Sequence, residues 1–218
     1  MGGIDPKNFL GEIVASKREK VAQRKIFLEN IKRNVESSRL TRYSLFRERI
    51  AQPGKISLIA EIKRASPSKG VLCQDFGVSH LARVYKENGA AALSVLTEEK
   101  FFLGRPDYVR LAADLDLPVL AKDFFVDELQ IYEAFSFSAS AILLIMAILS
   151  DEEVKRFQEA AQRLDMDCMV EVHTQEELDR ALRLDADIIG VNNRDLATFE
   201  LDLKVGERLL AQIPEGKV

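Results

Sequence analysis

Short apolar runs and longer polar stretches alternate along most of the chain. Six runs have the length of a strand and are rich in Val, Ile, Leu and Ala: SLIAEIK (57–63), AALSVLT (91–97), PVLAKDF (118–124), AILLIM (141–146), DCMVEVH (167–173) and DIIGVNN (187–193). The stretches between them are amphipathic and have the length of a helix, among them SHLARVYKENGA, DELQIYEAFS, SDEEVKRFQEAAQRLD and TQEELDRALRL. Nearly continuous apolar strands separated by helices predict a parallel sheet covered by helices.

Two of these helices carry start signals. Ser150 precedes a run of three acidic residues, and Thr174 is followed closely by Glu176 and Glu177. A hydroxyl side chain followed by acids is typical of a helix N-terminus, so we predict N-caps at Ser150 and Thr174.

The chain opens differently, with two helices predicted near residues 5–33 and 41–50. In the first, apolar residues and one lysine recur at spacings of three and four: Leu10, Ile13, Val14, Lys17 and Val21. We therefore expect an N-terminal helical extension (1–52) followed by a barrel domain (53–218).

Two architectures fit this alternation, a doubly wound open sheet and a (β/α)8 barrel. The positions of the polar residues within the apolar runs distinguish them. No GxGxxG motif follows the first run, which disfavours a dinucleotide-binding fold. Charged or amide residues instead stand at the C-terminal ends of different runs: Glu61, Lys63, Lys122, Glu171 and Asn192. In a barrel these ends form the catalytic rim, so we predict an α/β fold of the (β/α)8 TIM-barrel type.

A seventh strand is predicted to begin about at residues 216–218, where the sequence ends. An open sheet of six strands would expose unpaired edges and its inner apolar layer. We therefore expect the C-terminal units of the barrel to be missing from this sequence or supplied by another chain.

Composition narrows the class of protein. With 218 residues, of which 47% are hydrophobic and 30% charged, the chain can form one sizeable core. The apolar run 141–149 is too short to span a membrane and no signal-peptide pattern opens the chain, so we expect a cytoplasmic protein without membrane contacts. Two isolated cysteines, Cys73 and Cys168, and two histidines, His80 and His173, indicate neither disulfides nor a metal centre.

Charge is distributed unevenly. Residues 1–55 contain 13 Lys and Arg against 6 Asp and Glu, a net charge of +7, whereas the remainder carries −11. The basic segment has a helical pattern without interleaved aromatic residues or Gly-rich turns. We interpret it chiefly as a solvated helix face and do not expect nucleic-acid binding.

Each candidate residue also has a structural interpretation. Glu61 and Lys63 lie two residues apart and share a strand face, where they can serve catalysis or form a rim ion pair. Lys122 can be a surface lysine, and Asn192 can be part of a turn. Glu171 lies in the apolar run MVEV, where a charge is costly unless it is used or paired.

The two histidines are weaker candidates. His173 shares the face of Glu171 but follows the predicted strand, so we expect a loop residue that supports the site. His80 lies in a helical pattern and is expected at the surface or in packing.

Five motifs, taken together and in order, resemble indole-3-glycerol phosphate synthase: EIKRASPSKG (61–70), LSVLTEEKFFLG (93–104), LAKDFFVDELQIYEA (120–134), MVEVHT (169–174) and GVNNRDLATFELDL (190–203). The resemblance implies a (β/α)8 barrel with an N-terminal helical extension. It also implies cofactor-free conversion of 1-(2-carboxyphenylamino)-1-deoxyribulose 5-phosphate to indole-3-glycerol phosphate, carbon dioxide and water.

The resemblance implies a role for each polar residue. Lys122 corresponds to the general acid at the ribulose carbonyl. Lys63 corresponds to the lysine that binds the substrate carboxylate and can donate a proton later in the reaction. Glu171 corresponds to the base of the dehydration step. Glu61 is expected to position the lysines and share in proton handling, and Asn192 to hold a substrate hydroxyl.

Further residues are implied in substrate binding. Ser66 and Pro67 belong to a first loop that closes over the substrate, and Arg194 lies toward the phosphate. The positions that match the pocket for the anthranilate ring are Phe102, Phe124, Leu143 and Leu196, although each can also be plain core. The N-terminal helices are expected to act as a lid. The expected ligand is one phosphorylated anthranilate-ribulose molecule, and the sequence does not indicate an oligomeric state.

The sequence departs from the family pattern at two places. Ser138-Ala139-Ser140 replaces a usual Gly-Ala-Asp, which removes a glycine helix stop. The seventh strand with its Glu-Ser pair and the phosphate-binding loops are absent, so we expect the 218-residue chain alone to be nearly inactive.

Three rival interpretations stay open. Lys122 can form a Schiff base, as in barrel aldolases, or the chain can be an inactive fragment of a barrel. Phosphoribosylanthranilate isomerase also handles an anthranilate ribose phosphate, but it typically uses a cysteine and an aspartate.

Overall fold

A computed structural model describes residues 9–38, 45–194 and 201–218. Three helices come first: α1 (Phe9–Gln23), α2 (Lys25–Ser37) and α3 (Phe46–Ile50). Strand β1 (Ile59–Ile62) follows, then a small antiparallel hairpin of β2 (Ala65–Ser66) and β3 (Gly70–Val71). Helices and strands then alternate: α4 (Val78–Glu87), β4 (Ala92–Leu96), α5 (Tyr108–Ala113), β5 (Val119–Lys122), α6 (Leu129–Ser136), β6 (Ala141–Ile145), α7 (Asp151–Gln162), β7 (Asp167–Val172), α8 (Gln175–Arg183), β8 (Ile188–Val191) and α9 (Leu203–Leu210).

The six longer strands form one parallel sheet in the order β1-β4-β5-β6-β7-β8. From β4 onward, each strand pairs with the strand of this sheet that precedes it in the chain, so β4 pairs with β1. The sheet curls into half of a barrel. The six predicted strands and their parallel arrangement are therefore confirmed.

The two faces of the sheet carry different residues. Outward-facing residues such as Leu93, Val119 and Leu144 pack against the covering helices, where a fully buried aliphatic side chain contributes roughly 1.5–3 kcal/mol. The inner face carries the alternate positions: Ala92, Leu120, Ala141, Leu143, Ile145 and Ile188. Because side chains alternate along a strand, Lys122 shares the inner face with Leu120.

The helices α7 and α8 begin where the sequence predicted N-caps. Ser150 caps α7 through a capping box with Glu153, and the Thr174 hydroxyl accepts a hydrogen bond from the Glu177 amide at the start of α8. Both predicted N-caps are confirmed.

The N-terminal segment differs from the prediction of one long helix over 5–33. A break at Arg24 (φ −100°, ψ 6°) separates α1 from α2. Phe9 at the start of α1 contacts Phe101, whereas Val21 and Leu28, on either side of the break, are buried together with Val126. Of the helix expected over 41–50, the described residues form α3 from Phe46 onward, and Leu45 is its N-cap. The predicted domain boundary at residue 52 stays a prediction.

A left-handed residue ends each of the helices α4 to α8. The five residues with positive φ that follow these helices are Gly89, Asp116, Ser138, Asp165 and Asp185. In this conformation the chain reverses from the helix into the next strand.

The last residue pairs with the sheet. The Val218 amide donates to the Asp187 carbonyl (2.9 Å), and the Val218 carbonyl accepts from the Ile189 amide (2.8 Å). A strand-like backbone thus begins beside β8 at the predicted position. Among the described residues, no helix is both long and apolar enough to cross a bilayer.

Candidate active site

A cavity of about 370 Å³ opens at the carboxyl ends of the strands. Every predicted site residue within the described parts of the chain lines it: Glu61, Lys63, Ser66, Pro67, Phe102, Lys122, Phe124, Leu143, Glu171, Asn192 and Arg194. Leu196 lies outside the described residues. Six segments that are distant in sequence thus supply one site.

The Glu61 carboxylate bridges two lysines of the cavity, Lys63 and Lys122. Its Oε2 accepts a hydrogen bond from Lys122 Nζ at 2.8 Å, and its Oε1 accepts one from Lys63 Nζ. About 30% of each of these three side chains stays exposed to the cavity. Strand β1 and the residue just after it thus present Glu61 and Lys63 on one face, as the two-residue spacing predicted, and β5 adds Lys122 from across the sheet.

The contacts between these residues shift two pKa values in opposite directions. Burial alone would raise the pKa of Glu61, but the charges and hydrogen bonds of Lys122 and Lys63 outweigh it and lower that pKa. Burial would lower the pKa of Lys122, but the carboxylates of Glu61 and Glu171 outweigh it and raise that pKa. Both groups are consequently ionised at neutral pH, and Lys122 carries a proton that it can donate.

Glu171 lies deeper, near the end of β7, and its side chain is 10% exposed. The side-chain amide of Asn192 donates a hydrogen bond to Glu171 Oε1 at 3.3 Å. Its side-chain oxygen, Oδ1, accepts one from the backbone amide of Arg194 at 3.0 Å. Asn192 is therefore placed between Glu171 and the turn that follows β8. His173 follows β7 directly, as predicted, and its Nε2 lies 3.5 Å from Glu171 Oε1, whereas His80 is an exposed residue of α4.

Aromatic and aliphatic side chains form one wall of the cavity. The rings of Phe102 and Phe124 lie 6.2 Å apart at an interplanar angle of 36°. Phe124 and Leu143 are buried and belong to the inner core, and they also line the cavity. These two residues therefore belong both to the core and to the site.

Ser66 and Pro67 stand at the turn of the hairpin β2–β3, beside the cavity mouth. The predicted turn is confirmed. Lys69 and Leu72 of the same hairpin also line the cavity, although the sequence did not single them out.

Glu98 is a structural residue of the site that the sequence analysis missed. Its buried carboxylate accepts hydrogen bonds from the backbone amides of Lys100, Phe101 and Phe102, which fixes the loop that carries Phe102. Gly104 completes this loop, because a Cβ there would lie 2.3 Å from a backbone oxygen. The motif TEEKFFLG contains both residues, but only the fold reveals their contacts.

Asp123 was also missed, although it follows Lys122 directly. Its Oδ1 lies 2.6 Å from Lys17 Nζ of α1, and its Oδ2 accepts from the Thr97 hydroxyl at 2.7 Å. The expectation of a solvated basic face is wrong for Lys17, which is 7% exposed, because basic residues of the extension pair with acids of the barrel. Four such pairs are Lys17–Asp123, Lys20–Glu99, Arg24–Glu133 and Lys32–Glu128.

Within the described ranges, no group of three or more His, Cys, Asp and Glu side chains is arranged to hold a metal ion. Three lysines, three carboxylates and one arginine line the cavity, a set that suits proton transfer and the binding of anions. The expectation that no cofactor is used stays a prediction.

A curled parallel sheet with lysines and carboxylates at its carboxyl end defines an α/β enzyme with an acid-base site. The sequence model of indole-3-glycerol phosphate synthase matches residues 10–218, so the chain belongs to that family. The resemblance seen in the sequence is confirmed.

Two relatives illustrate the match. The chain is 46% identical over 212 residues to indole-3-glycerol phosphate synthase from Acetivibrio thermocellus, covering 96% of this chain and 82% of the relative. It is 45% identical over 216 residues to indole-3-glycerol phosphate synthase from Polaromonas sp., covering 97% and 81%.

Solved structures of other proteins share the fold alone. A crystal structure of 3-hexulose-6-phosphate synthase superposes with a TM-score of 0.52 at 17% identity, covering 72% of this chain and 73% of that one. A structure titled native KDPGal superposes with a TM-score of 0.50 at 15% identity, covering 77% and 72%.

Proposed function

We propose that the site closes the indole ring in tryptophan biosynthesis. Its substrate is 1-(2-carboxyphenylamino)-1-deoxyribulose 5-phosphate, and its products are indole-3-glycerol phosphate, carbon dioxide and water. Membership of the family supports this lyase reaction. The observation that carries the assignment of residues is the Glu61 carboxylate bonded to both Lys63 and Lys122 in the cavity mouth.

Lys122 is the general acid of ring closure. It protonates the ribulose carbonyl oxygen while the aromatic carbon that bears the carboxylate attacks the carbonyl carbon. Its raised pKa supports this role, because burial is outweighed by two carboxylates that keep the amine protonated. The same property argues against a Schiff base, which requires a neutral amine.

Lys63 binds the substrate carboxylate before decarboxylation. In the structure its ammonium pairs with Glu61, and about 30% of its side chain is exposed to the cavity. A second carboxylate can therefore approach the same cation without displacing core residues. Glu61 holds the two lysines in place and shares their protons as charge develops.

Glu171 is the base of the dehydration step. It takes a proton from the ring-closed intermediate while the Lys63 ammonium gives one to the departing hydroxyl, which leaves as water and completes the aromatic system of indole. Burial and the hydrogen bond from Asn192 support a defined position for its carboxylate. Asn192 holds a substrate hydroxyl with the remaining capacity of its amide.

The rest of the cavity recognises the two ends of the substrate. Phe102, Phe124 and Leu143, together with Leu196, bind the anthranilate ring, and Ser66 and Pro67 close over it. Arg194 lies toward the phosphate. Strands that join beside Val218 complete a (β/α)8 barrel and bring the main phosphate-binding loops. The enzyme acts in the cytoplasm on this small molecule, without nucleic acid or membrane partners.

A matched pair of lysine variants tests this proposal. Lys122→Met and Lys155→Met are made in the chain extended with the C-terminal segment of the Acetivibrio thermocellus relative; Lys155 is an exposed residue of α7. Indole-3-glycerol phosphate formation is followed by indole fluorescence. We expect Lys122→Met to lower kcat by about 10²–10⁴-fold with little change in KM, because the proton donor is lost, and Lys155→Met to be unaffected.

Full activity of Lys122→Met would contradict the assignment of the general acid. A covalent adduct on Lys122 after borohydride reduction with substrate would favour the aldolase alternative instead.

A further inference from the structure

An imidazole stands between two carboxylates behind the cavity. His173 Nε2 lies 3.5 Å from Glu171 Oε1, and His173 Nδ1 lies 3.3 Å from Glu177 Oε2. The three side chains are only 9%, 10% and 15% exposed. Neither His173 nor Glu177 has a role in the proposed reaction.

Glu177 fixes one side of the imidazole. Its Oε2 accepts a hydrogen bond from the His173 backbone amide at 2.7 Å, and its own amide donates to the Thr174 hydroxyl at 3.2 Å. Burial alone would raise the pKa of Glu177, but its hydrogen bonds with His173 outweigh burial and lower that pKa. Glu177 is therefore a carboxylate, which can only accept, so Nδ1 of His173 carries a hydrogen.

With Nδ1 protonated, Nε2 of His173 faces Glu171. If the imidazole is neutral and Glu171 is ionised, two acceptors face each other in a buried place, which is unfavourable. One proton between Nε2 and Oε1 removes this conflict. The 3.5 Å separation is long for a hydrogen bond and lies within the range of an ion pair.

The surroundings of this pair are also charged or polar. From β8, Asn192 contacts Glu171, and from β5, Lys122 interacts with Glu171 through its charge. From α8, Arg180 is bound to Asp151 of α7 and to the carbonyls of Met146 and Leu149, which engage three of its nitrogens. Of the side chains named here, His173 has the closest contact with Glu171 that can place a positive charge beside it.

We propose that His173 is a positioning residue for Glu171: anchored by Glu177, its imidazolium holds the Glu171 carboxylate toward the cavity, where the carboxylate acts as a base. The inference rests on the proposed function only in giving Glu171 the role of a base. A purely structural His173 would cap and pack the start of α8 without sharing a proton with Glu171.

Histidine NMR tests the proton sharing without any assay of activity. The chain has only two histidines, so long-range ¹H–¹⁵N spectra of the 218-residue protein contain two imidazoles, and a His80→Gln variant assigns them. In the unsubstituted protein at high pH, we expect His173 to be the Nδ1–H tautomer. An Nε2–H tautomer would overturn the proposal, and this measurement needs no substitution at the site.

Titration of two matched variants tests the partner. Glu171→Gln should lower the midpoint of the His173 titration by about one pH unit, because a neighbouring carboxylate favours the imidazolium. Glu176→Gln removes an exposed acid from the same turn of α8 and should shift the midpoint far less, and the exposed His80 should not respond to either variant. An unchanged His173 midpoint in Glu171→Gln would refute the proton sharing.

Activity then separates the two proposals. In the extended chain, His173→Asn can reach only Glu177, whereas His173→Gln places an amide near the position of Nε2. We expect His173→Asn to lower kcat about tenfold or more at constant KM, and His173→Gln to restore much of the loss near neutral pH. If the NMR coupling is found but Glu171→Gln keeps full activity, the role of Glu171 as base is wrong while the contact between His173 and Glu171 stands.

Discussion

Ser138 adopts a conformation that suits glycine better than serine. It follows α6 with φ 73°, and the two hydrogen bonds of a Schellman motif surround it: Ser138 N to Phe135 O (2.9 Å) and Ala139 N to Ala134 O (3.0 Å). The left-handed region costs a residue with a Cβ about 1 kcal/mol or more. The helix stop that the family achieves with glycine is thus made here by a strained serine.

Ser138→Gly should therefore raise the free energy of unfolding by up to about 1 kcal/mol, measured by urea denaturation. The matched control is Ser136→Gly, the same exchange in the last residue of α6. It should lower the free energy of unfolding by about 0.5–1 kcal/mol, because glycine weakens a helix. Destabilisation by Ser138→Gly would show that the left-handed serine is not strained.

At the same scale, the sequence allowed us to predict which strand residues share a face of the sheet. The two-residue spacing of Glu61 and Lys63 determines that both side chains share a face, and the apolar neighbours of Lys122 and Glu171 indicate strand ends. The bridge that Glu61 makes to both lysines could not be predicted, since it depends on the distance between β1 and β5 across the sheet.

At the scale of elements, α1 is attached to the barrel by a buried ion pair next to the site. Lys17 and Asp123 are 7% and 9% exposed, and Asp123 is also bonded to Thr97. The local sequence predicted the helix but not this contact, because its partner lies in a strand end far along the chain. A helical pattern indicates which face is apolar and leaves the element that it packs against undetermined.

Lys17→Met should lower the free energy of unfolding by about 3–5 kcal/mol, because it leaves the buried Asp123 carboxylate without its cation. The double variant Lys17→Met/Asp123→Asn should be less destabilised than Lys17→Met alone, since the uncompensated charge is gone. Lys25→Met, at an exposed position of α2, is the control and should change stability by less than about 0.5 kcal/mol. The cycle consists of the unsubstituted protein, Lys17→Met, Asp123→Asn and the double variant, each measured by thermal and urea unfolding, and additive effects would contradict a coupled pair.

At the scale of the whole molecule, the order of elements was the most predictable feature. The apolar runs predicted the number of strands. The helices between them predicted that the strands are parallel, because strands that alternate with helices pair in parallel. The division of the first helix at Arg24 was not predictable, because the residues on both sides of it continue a helical pattern.

The two edges of the sheet carry a further prediction. Beside β1, Ile56 and Leu58 are 103% and 57% exposed, and at the other edge Val218 begins to pair with β8. We expect the 218-residue chain to form little indole-3-glycerol phosphate, and the chain extended with the C-terminal segment of the Acetivibrio thermocellus relative to be active. The fluorescence assay run on both proteins at equal concentration measures this. Robust activity of the 218-residue chain would contradict the prediction, and inactivity of both would favour the inactive fragment.

The neighbour-by-neighbour order of the sheet has a consequence for synthesis on the ribosome. Because each strand from β4 to β8 pairs with the preceding strand of the sheet, the half-barrel can assemble progressively while the chain emerges. The N-terminal helices cannot: Arg24 and its partner Glu133 are 109 positions apart. At about 5–20 residues per second, the nascent extension waits roughly 5–20 s for that partner, and Val21 and Leu28, which the folded protein buries, stay exposed beside a strongly basic surface. The extension is thus the first part of the protein to be made, but it docks only after α6 has emerged, and during that interval it is the segment on which a chaperone would act.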